Sequence, residues 1–197
     1  MHNPFDLLID SYLADTIGID TQFLSAALCE GLQQHIVELQ AAGLLKMAGI
    51  GNHAVLDATQ TMRGDAIYWL DKSHPNAFEQ QFLLQAEAFI ARLNSTCYAG
   101  ITGYEFHYAV YAAGTGYQRH KDQFRNNTSR RFSLIHYLNA DWLASDGGAL
   151  LVYPTATAQS ILPQAQTAVF FKSDELEHEV ATAHRSRMSI AGWLKVD

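Results

Sequence analysis

Residues 104–122 read Tyr104-Glu-Phe-His-Tyr-Ala-Val-Tyr111-Ala-Ala-Gly114-Thr-Gly116-Tyr117-Gln-Arg-His120-Lys-Asp122. The first eight are mostly aromatic, β-branched or small, the composition of a strand half-buried on a pleated surface. Ala112-Ala113-Gly114-Thr115-Gly116 then reads as a loop, because glycine reaches backbone angles closed to other residues. The same rhythm of short apolar run and turn signal continues downstream. Strands are expected near 104–113, 131–138, 148–153, 166–171, 177–181 and 187–195. Asp146-Gly147-Gly148 marks a tight turn, and Pro154 and Pro163 mark further breaks. Many short strands separated by glycine turns point to a sandwich or jelly roll.

Upstream the period changes from two to that of a helix. Between Phe23 and Leu45, apolar residues recur at Leu24, Ala27, Leu28, Leu32, Ile36 and Leu39. Asp20 or Thr21 is the expected N-cap, and Gly43 stands where a C-terminal glycine belongs. A second helix is expected over Ala77–Leu93. Asn76 and Glu79 resemble a capping box, and Phe78, Phe82, Ala86, Phe89, Ile90 and Leu93 form its apolar stripe. No repeat, low-complexity segment or linker divides the chain. The expectation is one domain over 1–197, with 1–100 mainly helical support and 101–197 the strand core. The fold class is α+β, a double-stranded β-helix (jelly roll) core supported by N-terminal helices.

The chain has 197 residues, 48% of them apolar and 17% charged, which suits a packed globule rather than a disordered segment. Its net charge of −7 disfavours nucleic acid as the main partner, since phosphate backbones are bound by clustered lysine and arginine. Arg119, Lys121, Arg125, Arg130 and Arg131 do group together, either as a solvated loop or as a rim for an acidic partner. Cys29 and Cys97 stand apart, with no disulfide or zinc spacing, so a reducing compartment is expected. The N-terminal residues lack the pattern of a signal peptide, and no apolar run reaches membrane-spanning length. A cytoplasmic location is therefore expected, with no membrane partner. Nothing in the sequence indicates the oligomeric state.

His120 and Asp122 carry the chemistry. Two residues apart on an extended strand, side chains project to the same face, so both can grip one metal ion. His178, fifty-eight residues on, supplies the third ligand of a 2-His-1-carboxylate triad, which leaves one side of an iron(II) open. Nine residues further, Arg187 lies in Arg187-Met-Ser-Ile-Ala-Gly-Trp193, a run apolar enough to be core. A core guanidinium needs an anion, and it matches a carboxylate bidentately. Arg185, outside the apolar run, reads as solvated. Tyr137 could give that anion a second donor, or be a half-buried strand aromatic. Tyr111 and Tyr117 could line the pocket mouth or simply pack. His2, His35, His53, His74, His107 and His184 show no metal-like spacing and read as surface or satisfied core residues. His136, next to Tyr137, reads as structural.

With these residues in hand, the chain resembles the iron(II)/2-oxoglutarate-dependent dioxygenase superfamily. Within it, the likeness is to the prolyl-hydroxylase-domain branch, the oxygen-sensing type and its bacterial relatives. Four stretches carry it: Tyr111 through Gly114-Thr-Gly-Tyr117-Gln-Arg-His120-Lys-Asp122; Ile135-His-Tyr137-Leu-Asn139-Ala-Asp141-Trp142 with Gly147-Gly148-Ala-Leu150; Phe170-Phe171-Lys-Ser-Asp174 with His178-Glu-Val180; and Arg187. Together they span most of residues 61 to 196. The resemblance implies His120, Asp122 and His178 as iron ligands and Arg187 as the 2-oxoglutarate arginine. It also implies Tyr137 as a helper at the far carboxylate and Tyr111 as a neighbour of the co-substrate. Arg63-Gly64-Asp65 with Trp69 resembles the start of a mobile loop that closes over a peptide substrate; a plain surface turn is the competing reading. The stretch Gln123-Phe-Arg-Asn-Asn-Thr-Ser-Arg130 and the loop before Tyr117, one residue shorter than in the animal sensors, depart from the family pattern.

The implied activity is hydroxylation of a C–H bond of a prolyl residue in a protein or peptide. Iron(II), 2-oxoglutarate and dioxygen would take part, with ascorbate as a candidate reductant and succinate and carbon dioxide as co-products. A small-molecule hydroxylase acting on free amino acids would use the same iron site. A non-catalytic 2-oxoglutarate or oxygen-sensing protein would require a broken triad or a missing anchor, and this chain has neither. A nucleic-acid demethylase is disfavoured by the acidic balance.

Overall fold

The computed structural model describes residues 3–49, 63–123 and 128–196. Their elements run α1 (Asp6–Asp15), β1 (Ile17–Asp20), α2 (Ala26–Ala41), β2 (Lys46–Met47), β3 (Asp65–Trp69), α3 (Ala77–Cys97), β4 (Gly103–Tyr111), β5 (Tyr117–His120), β6 (Arg130–Tyr137), β7 (Leu150–Tyr153), β8 (Gln159–Ile161), β9 (Ala168–Lys172), β10 (Glu177–Val180) and β11 (Arg187–Lys195). Two antiparallel sheets result, a major one ordered β1-β9-β6-β11-β4-β3-β2 and a minor one ordered β5-β10-β7-β8. This is the jelly-roll core with helical support that the residue pattern predicts.

Parity organises the major sheet. On β4, β6, β9 and β11 the even-numbered residues Phe106, Tyr108, Val110, Phe132, Leu134, Phe170, Ile190 and Leu194 pack with the helices. The odd-numbered Ala109, Tyr111, Ile135, Tyr137, Val169 and Phe171 pack with the minor sheet. One sheet thus separates a helix-side core from an inter-sheet core, because strand side chains alternate faces. The four central strands read as nearly continuous apolar runs for the same reason: both their faces are covered.

The helices form where their caps permit. Ser25, extended at φ −64 and ψ 152, accepts the Leu28 amide and starts α2, so the helix begins after the expected Asp20 or Thr21. Gly43 at φ +68 closes it, with Gly43 N–H donating to Gln40 O and Leu44 N–H to Leu39 O, both at 3.0 Å, the pattern of a Schellman end. Asn76 accepts from the Phe78 and Glu79 amides at 3.0 Å each. Glu79 does not complete the capping box; its carboxylate turns away to the Asp71 amide. Two stripe residues depart from expectation: Ala27 is exposed, and Phe78 is 40% exposed because its ring lies across Gly31 of α2.

β1, β2, β3 and β8 fall outside the expected set, and β5 is implied only by the His120–Asp122 spacing. Each is five residues or shorter, too brief to show a period. They exist because a neighbour offers a ladder; β1, for example, pairs along the length of β9. β1, β2 and β3 bring a little sheet into residues 1–100, beside the three helices.

Candidate metal and co-substrate site

β5 and β10 place the two histidines opposite each other, His178 against His120, in antiparallel register. Their rings lie 4.3 Å apart. Asp122 lies two residues beyond the end of β5, in a bend rather than on the strand; the chain curls so that its carboxylate turns back between the rings. Asp122 Oδ1 lies 3.4 Å from His120 Nε2 and Oδ2 3.6 Å from His178 Nε2. The three ligand atoms converge within 4.8 Å of one another.

Each donor is held from behind. His120 Nδ1 lies 2.7 Å from Gln118 O and His178 Nδ1 3.3 Å from Leu176 O. Donating Nδ1–H to those carbonyls turns both Nε2 lone pairs toward the centre. Ser133 Oγ donates to Asp122 Oδ2 at 2.6 Å and contacts Ser173 Oγ at 2.9 Å. Burial alone would raise the Asp122 carboxyl, but His178, His120 and Ser133 hold it well below the usual carboxylate range. Burial pushes His178 down, against the pull of Asp122. One carboxylate and two imidazoles converging from three backbone positions are a donor set that suits an iron(II).

Arg187 lies deeper in the same pocket. It is 2% exposed, with Nε donating to Gly148 O at 2.8 Å and Nη1 to Ser189 Oγ at 3.5 Å. Among the described residues no carboxylate pairs with it. Its guanidinium sits 5.1 Å from both the Tyr111 and the Tyr137 rings. Register explains this triangle: Arg187 is opposite Tyr111 on β4, and Ser189 is opposite Tyr137 on β6. Tyr137 Oη is buried without a hydrogen-bond partner, and burial raises its phenol to about 12 against the pull of Arg187. A buried cation beside a buried, unmatched hydroxyl donor suits a carboxylate. Gly148, at φ +65, keeps its carbonyl on Arg187; a side chain there would stand 3.1 Å from Arg187 Cδ.

Arg63 and Asp65 are not a surface turn. Asp65 is fully buried and receives Arg63 Nε at 2.5 Å and Nη2 at 2.8 Å. Asp65 opens β3, opposite Tyr111 of β4, and both residues line the pocket. Trp69, 47% exposed, stands at the far end of β3, 4.9 Å from the His107 ring and 6.3 Å from Trp193.

Several neighbours escaped the sequence reading. Ser133 and Ser189 stand on the odd faces of β6 and β11, each with an arginine on one side and an apolar residue on the other, and no local pattern marks them out. His107 is not a surface residue or a satisfied core one: it lines the pocket, its Nδ1 lacks a partner, and its Nε2 meets Arg63 Nη2 at 3.3 Å. Burial and the adjacent Arg63 lower it to about 3. Tyr117 stacks on His120, ring centroids 3.7 Å apart. The basic rim is largely paired within the chain: Arg119 with Glu177, Arg130 with Glu105, and Lys121 on Asp174 O. Arg125 lies outside the described residues, as do His2 and His53.

A family model described as 2OG-Fe(II) oxygenase superfamily matches residues 106–195. The crystal structure of a Pseudomonas putida prolyl-4-hydroxylase superposes with a TM-score of 0.88 at 30% identity, covering 98% of this chain and 99% of that one. The chain belongs to the 2OG-Fe(II) oxygenase superfamily. Its family works with iron(II), 2-oxoglutarate and dioxygen. Human Egl nine homolog 1 is 32% identical over 148 residues, 70% of this chain and 34% of that protein; this oxygenase thus corresponds to about a third of that relative's length. Human prolyl hydroxylase EGLN3 is 28% identical over 204 residues, 98% of this chain and 79% of that protein.

Proposed function

We propose that this protein is an iron(II)- and 2-oxoglutarate-dependent dioxygenase that hydroxylates a prolyl residue of a protein or peptide. The observation that carries this reading is one pocket that joins the His120–Asp122–His178 cluster to Arg187. In this assignment His120, Asp122 and His178 ligate iron and Arg187 receives the far carboxylate of 2-oxoglutarate. Tyr137 adds a hydroxyl donor to that carboxylate, and Tyr111 walls the co-substrate against the sheet. With iron and dioxygen, 2-oxoglutarate leaves as succinate and carbon dioxide while one oxygen atom enters the substrate C–H bond. The chain's part is to orient, to keep Asp122 ionised, and to exclude water with Ile135, Leu150 and Val180 around the cluster. Arg63 and Asp65 in the pocket wall, and Trp69 against His107 and Trp193 of that wall, are assigned to the substrate.

The prolyl target is supported by the likeness to the Pseudomonas prolyl-4-hydroxylase along the whole length of both chains. Among the described residues no helix is long and apolar enough to cross a membrane. Free Cys29 and Cys97 fit a reducing cytoplasm. Incubating iron-loaded protein with 2-oxoglutarate and host-cell lysate should yield new hydroxyproline by mass spectrometry. His178→Ala should abolish both succinate formation and iron binding; full activity in that variant would sink the triad. Turnover on free amino acids with no response to peptides would shift the substrate to small molecules.

A further inference from the structure

On the opposite side of the major sheet, three more donors converge. His35 comes from α2, Glu79 from the first turn of α3 and His74 from the turn between β3 and α3. His35 Nε2 lies 3.3 Å and His74 Nδ1 3.8 Å from Glu79 Oε2, and the two rings are 5.0 Å apart. Tyr108, on the even face of β4, lies against His35 with ring centroids 5.8 Å apart. His107 and Tyr111 on the odd face of that strand line the other pocket.

A hydrogen-bonded ion pair does not account for this arrangement. His35 Nε2 and Glu79 Oε2 are both buried, yet neither has a hydrogen-bond partner; they face each other without aligning. Buried polar atoms are seldom left so. The other oxygen of the Glu79 carboxylate is already held. Glu79 Oε1 accepts the Asp71 amide at 2.9 Å, and His35 Nδ1 faces Glu38 Oε2 at 3.9 Å. His74 Nδ1 takes only a 3.2 Å contact from the Asn76 amide, which a stronger ligand can replace. Tetrahedral zinc, with bonds of about 2.0–2.1 Å, separates neighbouring ligand atoms by about 3.3–3.5 Å; His35 Nε2 already stands at 3.3 Å from Glu79 Oε2 and His74 Nδ1 at 3.8 Å, with all three donors within 4.8 Å.

We infer that His35, His74 and Glu79 form a second metal site, for a divalent transition ion such as zinc, with water in the remaining position. Two imidazoles and one carboxylate suit that class of ion. His74, its side chain 23% exposed, leaves an entry path. The ion would tie α2 to the start of α3 and to the preceding turn, so its effect is on stability rather than on turnover.

The test uses the full chain carrying His120→Ala and Asp122→Ala, which removes the first site, with zinc alone as the probe. Metal analysis after dialysis should find one zinc per chain, and zinc should raise the melting temperature in a way a chelator reverses. Cobalt(II) in its place should give the visible bands of a tetrahedral nitrogen–oxygen site. Adding His74→Ala, a change at a partly exposed position, should weaken zinc binding at least ten-fold. So should Glu79→Gln, which keeps the side chain's shape and its acceptor for Asp71. In the otherwise natural chain, His74→Ala should leave iron binding and succinate formation unchanged, which separates this site from the first. No zinc retained by the parent variant, or a full equivalent retained by either further variant, overturns the proposal.

Discussion

Arg187 is tolerable in the core only because its surroundings are built to receive an anion. Its Nε is committed to Gly148 O and its Nη1 reaches Ser189 Oγ only at 3.5 Å, which leaves N–H groups of the fork to spare for an anion. Lysine would keep the charge but lose the planar fork and the Gly148 contact together. Charge-assisted hydrogen bonds contribute about 1.5–3 kcal/mol each. Arg187→Lys should therefore raise the KM for 2-oxoglutarate about ten-fold or more, measured by succinate formation, with less effect on iron binding. Ser133 acts on the other ligand set through Asp122 Oδ2. Hydrogen-bonding partners behind a metal ligand are worth about 10–100-fold in affinity, so Ser133→Ala should weaken iron binding by that order in a metal titration. That His120, Asp122, His178 and Arg187 share one pocket was legible in the sequence, because few residue types can serve the chemistry proposed for them. Ser133 and His107 were not, because serine and histidine on a strand have many ordinary uses, and only the register shows what they touch.

At the level of elements, short pieces position the site and long ones support it. α3 was readable to within its last turn because Asn76 caps it and its apolar stripe is long enough to show a period. Asn76→Ala should cost about 1 kcal/mol, the usual worth of an N-cap, seen as a lower denaturation midpoint at unchanged slope. The same change should leave the KM for 2-oxoglutarate alone, since α3 packs on the face of the sheet remote from Arg187. β5 was harder to foresee. At four residues it carries His120 but not Asp122, and it is extended because β10 pairs with it. The idea that both ligands share one strand face gives way to a strand end and a bend, with the carboxylate pulled into place by Ser133.

Across the whole molecule, the major sheet is a partition with an apolar, helix-packed side and a chemically active side. His136 shows what belonging to the first side costs. It is 1% exposed, ringed by Phe23, Phe82 and Phe106, and neither ring nitrogen has a partner. Burial lowers it from 6.5 to about 3, so it stays neutral in the folded state while the unfolded chain takes up a proton. The resulting stability is complete above about pH 6.5 and is lost as pH falls toward about 3, on the order of 2 kcal/mol by about pH 5. His136→Leu should shrink the difference in unfolding free energy between about pH 7.5 and about pH 5 by that order, leaving the neutral value within about 1.5 kcal/mol. The sequence by itself determined the helices with their caps, the strand-rich second half, the metal-binding residue types and the buried arginine, because each rests on a local period or on a side chain with few other uses. Only the tertiary structure decided which short segments became strands, that Asp122 bends back to the two histidines, that Arg63 and Asp65 lie inside the pocket, and that His35, His74 and Glu79 meet. Those outcomes depend on register and packing between residues far apart in the chain, which no local pattern encodes.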